Sequence, residues 1–323
     1  MPQALPAPPL PRRPLIVRLR NWVGDVTLSL PMLQRLSDAG YSLELLGKGW
    51  ASDLLAGLGW PVHKLAATAH GRVTQMREMA TAARAADPGF SRRVNALCLP
   101  DSFSSALECR AAGLRALGHA WEARSLMLAR AVPRPRGVHE LDVYWRLGNA
   151  LLDAEAPLPA AVELRLAPRH VVEARTLQEA NGLAAGYIVI CPFAGGTWSG
   201  QDKTWPAFPA FAKDTLPTFG RRIVVCPGPG EENVAREQFG AALCLPGVGL
   251  GAYAALLKDA ALMISNDTGP GHMAAAVGTP LLSVLGPSDA SLWHAWGLKV
   301  QVLQGAGTWP SAEQVARAVR DAV

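Results

Sequence analysis

Residues 265–276 read SNDTGPGHMAAA, and this stretch carries the strongest structural signal in the chain. The apolar run before it, 261–264, predicts a buried parallel strand, and residues 273–277 predict the first turns of a helix. A strand, a tight polar turn and a helix N-terminus form a geometry that binds phosphate, because free backbone N–H groups and the positive end of the helix dipole point at one spot. The stretch therefore predicts a phosphate site in a parallel α/β fold.

The side chains of this turn fit a ligand site. Gly269 and Gly271 let a ligand come close to the backbone, and Asp267, Thr268 and His272 supply hydrogen-bond donors and acceptors around it. The alternative is a purely structural strand-to-helix turn in which Asp267 caps the helix. The local residues leave both interpretations open.

Length and composition indicate a globular protein of two domains. The chain has 323 residues, half of them hydrophobic, which suits two cores better than one. No apolar run reaches transmembrane length, and the N-terminal stretch lacks the apolar region of a signal peptide. The five cysteines form no C-x-x-C pair and no metal-binding spacing. We therefore expect a cytoplasmic protein with reduced cysteines and no bound metal.

The net charge of +5 is spread unevenly along the chain. Residues 1–170 hold 21 Lys and Arg against 14 Asp and Glu, a net of +7, whereas the remainder holds 10 against 12, a net of −2. This asymmetry predicts that the first half faces an anionic partner. No basic run is interleaved with a recognition motif, so we expect no nucleic-acid binding.

Strands alternate with helices along two stretches of the chain, which predicts two parallel sheets with right-handed crossovers. The predicted strands are 15–19, 42–46, 61–65 and 95–99 in the first stretch, and 187–192, 222–226, 242–245, 261–265 and 281–285 in the second. Ser311 and Gln314 predict a capping box for a C-terminal helix. We expect domains at 1–168 and 169–323, with room for the C-terminal helix to pack back on the first domain. Ligands of such sheets bind outside the carboxyl ends of the strands.

Gly24 and Asp25 follow the first predicted strand. A carboxylate at a helix start is commonly a cap. It is also a candidate general base, because the helix N-terminus favours its ionised form and a carboxylate in the cleft can accept a proton from a hydroxyl.

Two further loops follow predicted strands. Lys203 lies in the loop 193–206, where it is either a solvated surface residue or a counter-ion for a departing diphosphate. Glu231 and Glu232 follow the strand 222–226. They either accept both hydroxyls of a ribose or simply complement a helix dipole.

A dehydrogenase is a poorer interpretation of the phosphate turn. Residues 269–274 match G-x-G-x-x-A, and Asp289 lies twenty residues further on. However, Pro270 lies inside the turn, and Asp289 follows Gly286-Pro287-Ser288 instead of ending a strand. The chain also contains no Walker A pattern.

Taken together, these motifs resemble glycosyltransferase family 9, the ADP-heptose:lipopolysaccharide heptosyltransferases. The resemblance covers nearly the whole chain. Its parts are the opening strand, Gly-Asp-Val turn and Pro-containing helix in 15–33, the acceptor-side segment 99–106, and the Lys-x-Trp-Pro element at 203–206. The most specific part is Asp267-Thr268-Gly269 with His272 and three alanines, followed by Gly278-Thr279-Pro280 and Gly286-Pro287-Ser288.

The resemblance implies a GT-B fold, in which two Rossmann-like parallel-sheet domains face each other across a cleft. It implies an inverting transfer without metal or cofactor, from ADP-heptose in the C-terminal domain to an anionic lipid A–Kdo inner-core acceptor in the N-terminal domain. It also implies a cytoplasmic enzyme, peripheral at the inner face of the inner membrane.

Carried over residue by residue, the resemblance makes Asp25 the base and Lys203 the group that steadies the leaving phosphate. The implied substrate contacts are Gly24, Ser102, Ser199, one of Glu231 and Glu232 for the ribose, Asp267, Thr268 and Gly269 for the diphosphate and sugar, and His272 beside them. The stretch 197–200, which contains Ser199, departs from the family's usual spacing.

Three other functions stay open at this point. A nucleotide-sugar epimerase of the same fold would need no separate acceptor. A glycosyltransferase with another donor is compatible with the same architecture, because fold does not fix function. A non-catalytic nucleotide-sugar binding protein would not need both Asp25 and Lys203.

Overall fold

Two parallel six-stranded sheets form the framework of the chain, in a computed structural model that describes residues 12–198, 200–286, 288–305 and 308–323. Counted along the chain within each half, both sheets have the strand order 3-2-1-4-5-6. This is the doubly wound order, which leaves a crevice at the carboxyl ends of the central strands. The expected α/β fold of GT-B type is confirmed.

From residue 12 onward, where the description starts, the first half contains six strands, five α-helices and short 3₁₀ turns. The elements are β1 (Arg13–Arg18), α1 (Val23–Asp38), β2 (Tyr41–Gly47), α2 (Ala51–Leu54), β3 (Val62–Lys64), α3 (Ala69–Ala86), β4 (Ala96–Cys98), α4 (Phe103–Ala111), β5 (Ala116–Ala120), β6 (Arg130–Pro133) and α5 (Glu140–Leu152), with 3₁₀ turns at Ala56–Leu58, Phe90–Arg92 and Glu122–Met127.

The second half repeats the pattern around a second sheet. Its elements are α6 (Pro168–Ala180), β7 (Ile188–Cys191), a two-residue hairpin of β8 (Thr197–Trp198) and β9 (Gln201–Asp202), α7 (Phe208–Ala210), β10 (Ile223–Val225), α8 (Glu232–Gln238), β11 (Leu243–Cys244), α9 (Leu250–Asp259), β12 (Leu262–Asn266), α10 (Gly269–Val277), β13 (Leu281–Leu285), α11 (Ala290–Trp293), β14 (Val300–Gln304) and α12 (Ala312–Ala322). A π-helical turn at Phe211–Thr215 and a 3₁₀ turn at Leu216–Phe219 continue α7.

The first sheet is buried on both faces, as an all-parallel sheet requires. Along β1, Leu15 and Val17 pack into the core on one side of the sheet, and Ile16 packs into the core on the other side. This alternation explains the continuous apolar run of the sequence there, because a strand covered by helices on both faces has no solvent side.

The structure contains elements that the sequence did not indicate. The strand at 281–285 is not the last one, since β14 follows it, and β5 and β6 continue the first sheet. β5 contains Gly118 and His119 and lacks β-branched residues, and β6 is an exposed edge strand ending in a proline. α6, which was not predicted, begins with Pro168 at the expected boundary between the two domains.

The C-terminal helix belongs to the second sheet. Val315, Ala318 and Val319 of α12 pack into the core that surrounds Ile188 and Leu262, although the sequence analysis had allowed packing on the first domain. The amphipathic face of α12 explains this, because the second sheet would otherwise expose apolar residues. The capping box of Ser311 and Gln314 is confirmed. We propose 168/169 as the domain boundary, since α6 starts there and packs on α9.

The two halves touch through several contacts. The N-terminus of α9 has no cap of its own, and Asp53 of α2 supplies one, because the Gly251 N–H donates to Asp53 Oδ2 at 2.9 Å. The other oxygen of Asp53 lies 2.9 Å from His170 Nε2. α1 also packs against α10. No helix in the described ranges is both long and apolar enough to cross a bilayer.

Candidate functional site

A cavity of about 460 Å³ lies between the two halves, at the carboxyl ends of their sheets. Residues of α1 and the turn before it line one side, and residues of the loop after β7 and of the turn before α10 line the other. The lining residues are Trp22, Val23, Gly24, Asp25, Gly195, Gly196, Thr197, Lys203, Asp267, Thr268, Gly269, Pro270, His272 and Trp293. The structure thus gathers seven of the eleven sequence-predicted site residues around one space.

Asp25 is held by two side chains and does not act as the cap of its helix. It lies in the first turn of α1. Its Oδ1 accepts a hydrogen bond from the Tyr144 hydroxyl at 2.7 Å and another from Arg20 Nε at 3.1 Å. Tyr144 comes from α5, which packs along α1. Two donors on one oxygen fix the orientation of the carboxylate.

Arg20 also links Asp25 to a larger charged network. Its guanidinium lies 3.0 Å from Asp101 Oδ2 and 3.3 Å from Glu140 Oε1, and Arg134 bonds the same two carboxylates. Burial alone would lower the pKa of Arg20, but Tyr144, Asp25 and Asp101 raise it above its usual value. The network therefore consists of two guanidinium groups, which stay charged, and three carboxyl groups, those of Asp25, Asp101 and Glu140.

Burial keeps Tyr144 neutral. Desolvation and the adjacent Asp25 carboxylate raise the pKa of Tyr144 well above its usual range. The phenol is therefore a hydrogen-bond donor at any physiological pH. Burial also raises the pKa of Glu140, although Arg134 and Arg20 oppose this effect.

Lys203 and Asp267 form the opposite wall of the cavity. Lys203 Nζ donates to the backbone oxygen of Asp267 at 3.0 Å and lies 3.4 Å from its Oδ2. Ser288 Oγ donates to the same Oδ2 at 2.8 Å. The carboxylate of Asp267 therefore orients Lys203 and is itself anchored by Ser288. An ammonium group has three N–H donors, so Lys203 keeps one that Asp267 does not use.

The first turn of α10 offers backbone donors to the cavity. Thr268 is its N-cap residue, and Pro270, at the second helical position, has no N–H. The Gly271 N–H donates to Thr268 O at 3.1 Å. Both Thr268 and Gly269 line the cavity, and no described residue accepts from their N–H groups, so these two donors are free for a ligand.

His272 lies buried between α10 and α1. A Cβ on Gly24 would lie 2.9 Å from His272 Cδ2, so Gly24 provides the space that this ring occupies. Burial lowers the pKa of His272 from its usual value, which favours the neutral ring. Its Nδ1 is buried and has no partner among the described residues.

The glycines of the turn have a packing role that the sequence did not indicate. A Cβ on Gly269 would lie 2.7 Å from Val23 Cβ, so the bare backbone is needed where α10 meets α1. A Cβ on Gly271 would lie 3.3 Å from Ser265 Oγ. Both glycines allow close packing of the protein with itself, before any ligand is considered.

Three of the sequence-predicted residues that the structure describes do not line the cavity. Ser102 caps α4 by accepting from the Ser105 N–H at 3.3 Å. Glu231 and Glu232 each accept a 2.8 Å hydrogen bond from a glycine N–H of their own loop. Glu231 is the N-cap residue of α8 and Glu232 lies in its first turn, which is compatible with the helix-dipole alternative given above. Ser199 lies outside the described residues, as does Pro287 of the Gly286-Pro287-Ser288 element.

The sequence did not indicate several residues that surround Asp25. They are Arg20, Asp101, Arg134, Glu140 and Tyr144. Only Arg20 carried a usable signal, because it lies in the same β1-to-α1 loop as Asp25. Trp22 and Trp293 also line the cavity without having been singled out. Within the described ranges, no cluster of three or more His, Cys, Asp or Glu side chains has the arrangement of a metal site.

Comparison with known proteins gives a consistent family. Residues 94–322 match the model of glycosyltransferase family 9 (heptosyltransferase). Lipopolysaccharide heptosyltransferase 3 of Escherichia coli strain K12 is 33% identical over 128 residues. A second Escherichia coli protein with the same description is 33% identical over 123 residues. These matches cover 36% of this chain and only 36% and 35% of the two relatives.

Solved structures share the fold over nearly the full length. Escherichia coli ADP-heptose lps heptosyltransferase II superposes with a TM-score of 0.76 at 20% identity, covering 95% of this chain and 98% of that one. A family 9 glycosyl transferase from Veillonella parvula gives 0.78 at 17% identity, with 98% and 92% covered. Escherichia coli heptosyltransferase WaaC with ADP gives a TM-score of 0.72 at 20% identity, covering 96% of this chain and 99% of that one.

Proposed function

Because this chain belongs to glycosyltransferase family 9, we propose that it transfers heptose from ADP-heptose to a lipopolysaccharide inner-core acceptor, with inversion and without a metal. One observation carries this proposal. Asp25 of the first half and Lys203 of the second half line the same cavity. A base on one wall and a cation on the other are what an inverting transfer needs, because a hydroxyl loses a proton on one side of the anomeric carbon while a diphosphate leaves on the other.

Asp25 would act through its second oxygen. Oδ1 is taken by Tyr144 and Arg20, whereas Oδ2 has no partner among the described residues. In the proposed step the acceptor oxygen bonds to the anomeric carbon, the acceptor proton passes to Asp25 Oδ2, and the bond from the anomeric carbon to the diphosphate oxygen breaks. The electron pair of that bond leaves with ADP.

The developing charge on ADP would be stabilised from the second half. The N–H groups of Thr268 and Gly269, which have no acceptor among the described residues, and the remaining donor of Lys203 belong to residues that line the cavity, so we propose that they bind the diphosphate there. Asp267 carries a negative charge, so we propose that it supports Lys203 and contacts sugar hydroxyls instead of phosphate. His272, neutral and beside the turn, would be a further hydrogen-bonding group for the donor.

The remaining contacts that the family resemblance implies are part of the same proposal. Glu231 or Glu232 would bind the ribose only after exchanging its loop N–H partner for a hydroxyl. Ser102 would contact the acceptor, Ser199 the phosphate, and Gly24 the substrate through its backbone. The net charge of +7 over residues 1–170 suits a phosphorylated lipid A–Kdo acceptor at the cytoplasmic face of an inner membrane.

A donor screen tests this function. ADP-heptose, ADP-glucose, UDP-glucose and GDP-mannose are compared by thermal shift, and the best ligand is then incubated with and without a Kdo-lipid A acceptor. We expect ADP-heptose to stabilise the protein most, and heptose to reach the acceptor with inverted anomeric configuration by NMR. Transfer from a UDP- or GDP-sugar would contradict the proposed donor. Conversion of the donor sugar without an acceptor would indicate an epimerase.

A further inference from the structure

Four large apolar side chains are exposed on two neighbouring elements of the first half. Phe103 and Leu107 of α4 are 46% and 44% exposed, and Trp121 and Leu126 at the following 3₁₀ turn are 49% and 73% exposed. The two elements pack against each other. Single exposed apolar residues are ordinary, but a cluster of four indicates a binding surface. We call these four residues the α4 surface.

The outer face of α4 joins this apolar surface to basic residues. Phe103, Leu107 and Arg110 are spaced four and three residues apart and so share one helix face, whereas Ser105, Ala106, Glu108 and Cys109 face inward. Arg77 of α3 donates to the Ala111 backbone oxygen at 2.8 Å and so lies at the end of the same helix. Neither Arg77 nor Arg110 forms an ion pair with any described residue.

A buried arginine holds this surface in place. Arg124, on the 3₁₀ turn Glu122–Met127, donates to Cys98 O at 3.0 Å and to Pro100 O at 2.7 Å, at the start of the segment that leads into α4. Glu122 adopts the left-handed region with φ of 42°, which costs conformational energy for a non-glycine residue. Trp121 and Leu126 therefore stand on a fixed turn and not on a loose loop.

We propose that the α4 surface and its flanking arginines dock on an anionic lipid bilayer. Apolar side chains that insert among lipid chains, together with unpaired guanidinium groups at headgroup level, are the two contributions that bind peripheral proteins to such bilayers. The excess of seven positive charges in residues 1–170 adds long-range attraction, which Glu122, as an exposed acid on the turn, opposes only in part.

The α4 surface lies next to the proposed catalytic base. α4 begins two residues after Asp101, and Asp101 Oδ2 bonds Arg20, which in turn bonds Asp25. A protein docked through this surface would present Asp25 to a saccharide that rises from the same bilayer. This consequence rests on the proposed function, whereas the docking itself does not.

Vesicle flotation of the full chain tests the docking. The vesicles are phosphatidylcholine, alone or with about a third phosphatidylglycerol. The apolar variant is Leu107→Gln with Leu126→Gln, and the charge variant is Arg77→Gln with Arg110→Gln. The control is Leu298→Gln in the second half, which removes an even more exposed leucine (81%). Thermal melts verify that each variant is folded.

We expect the wild type and the control to float with the anionic vesicles and not with phosphatidylcholine alone. The apolar variant should bind about tenfold more weakly, and the charge variant should lose the part of binding that salt suppresses. Wild type that fails to float, or variants that bind equally well, would overturn the proposal. A wild-type dimer in sedimentation that the apolar variant dissociates would instead assign the surface to a second copy of the chain.

Transfer assays separate this inference from the proposed function. With a deacylated, water-soluble acceptor, the apolar variant should retain the wild-type rate. With the acylated acceptor in anionic vesicles, its rate should fall about tenfold, as its binding does. Absence of any transfer by the wild type would contradict the proposed function and leave the flotation result as the test of docking. Equal loss with both acceptors would overturn docking as the role of the α4 surface.

Discussion

The Tyr144 hydroxyl donates a 2.7 Å hydrogen bond to Asp25 Oδ1, so a residue of α5 orients a carboxylate of α1 from 119 positions away in the chain. Because the phenol is buried and its pKa is raised, Tyr144 keeps the proton that it donates over the physiological pH range. It leaves one Asp25 oxygen committed to the protein and the other available to a substrate.

Tyr144→Phe should lower kcat about 10- to 100-fold and change KM little. A hydrogen bond to a charged group is worth about 1.5–3 kcal/mol, and the phenylalanine ring preserves the packing of α5. Steady-state kinetics separate the effect on kcat from the effect on KM. Tyr187→Phe is the control, because it removes a similarly buried hydroxyl that bonds the Leu256 carbonyl away from the cavity. A KM effect without a kcat effect would contradict the positioning role.

Asp25→Asn should reduce transfer by about two to four orders of magnitude while leaving donor affinity largely intact, because a positioned base typically contributes that much. Single-turnover assays and calorimetric titration of ADP report the two quantities. Asp38→Asn, at the far end of α1 where Asp38 accepts only from Gln34 in the described structure, is the matched control. Retention of more than about a tenth of the wild-type rate would rule out Asp25 as the base.

Lys203→Ala should lower turnover more than it weakens donor binding. Charge on the diphosphate grows as the glycosidic bond breaks, so the ammonium contact strengthens in the transition state. Comparison of kcat with the ADP dissociation constant tests this. The exposed Lys213→Ala should leave both unchanged. Unchanged turnover with weaker binding would show that Lys203 only anchors the donor.

Activity should persist in EDTA. One oxygen of Asp25 is taken by Arg20 and Tyr144, and Asp267 is engaged with Lys203 and Ser288. Within the described ranges, no three His, Cys, Asp or Glu side chains have the arrangement of a metal site. Mg²⁺ prefers oxygen ligands that are free to coordinate it. Transfer rates are compared before and after chelation. Loss of activity that magnesium or manganese restores would contradict the role assigned to Lys203.

Acid should destabilise the fold through His139. Its Nδ1 accepts from the Leu141 N–H and its Nε2 donates to His294 O, and burial lowers its pKa from 6.5 to about 4. Between these two values the unfolded chain binds the proton more readily than the folded one. The stability that the neutral ring contributes is therefore complete above about pH 6.5 and lost as the pH falls towards 4, by about 3 kcal/mol at most.

Denaturant unfolding between pH 4 and 7.5 measures this contribution. His139→Asn retains a side-chain acceptor for the cap of α5 but does not titrate, so its stability should fall less steeply with acid than that of the wild type. Identical slopes for the two proteins would assign the acid sensitivity to other groups.

The sequence predicted the sheet cores well, because β1, β7, β12 and β13 are apolar runs bounded by turn residues and parallel sheets are buried on both faces. The strands at the edges of the sheets were predicted less well. β14 alternates apolar and polar residues as a half-exposed strand does, and this signal was present but overlooked.

The residues around Asp25 could not have been predicted in the same way. Local periodicity says which face of α5 is buried, but not that Tyr144 on this face meets α1 at its first turn. The packing of Gly269 against Val23 could not be predicted either. A glycine in a turn of this kind is equally compatible with a close ligand and with close packing of the protein. Contacts between distant segments depend on how the two halves dock, which sequence pattern does not specify.

Asp53 completes a helix that belongs to the other half of the molecule. The α9 N-terminus is therefore left with an unmatched N–H whenever the halves separate, at a cost of about 1 kcal/mol. Such a shared cap couples the folding of the two sheets, so the chain should melt in one cooperative transition in spite of its two cores. Either half expressed alone would then be less stable than its own core implies. A chimera that joins halves from different relatives would be stable only if it kept both Asp53 and Gly251, whose N–H donates to it.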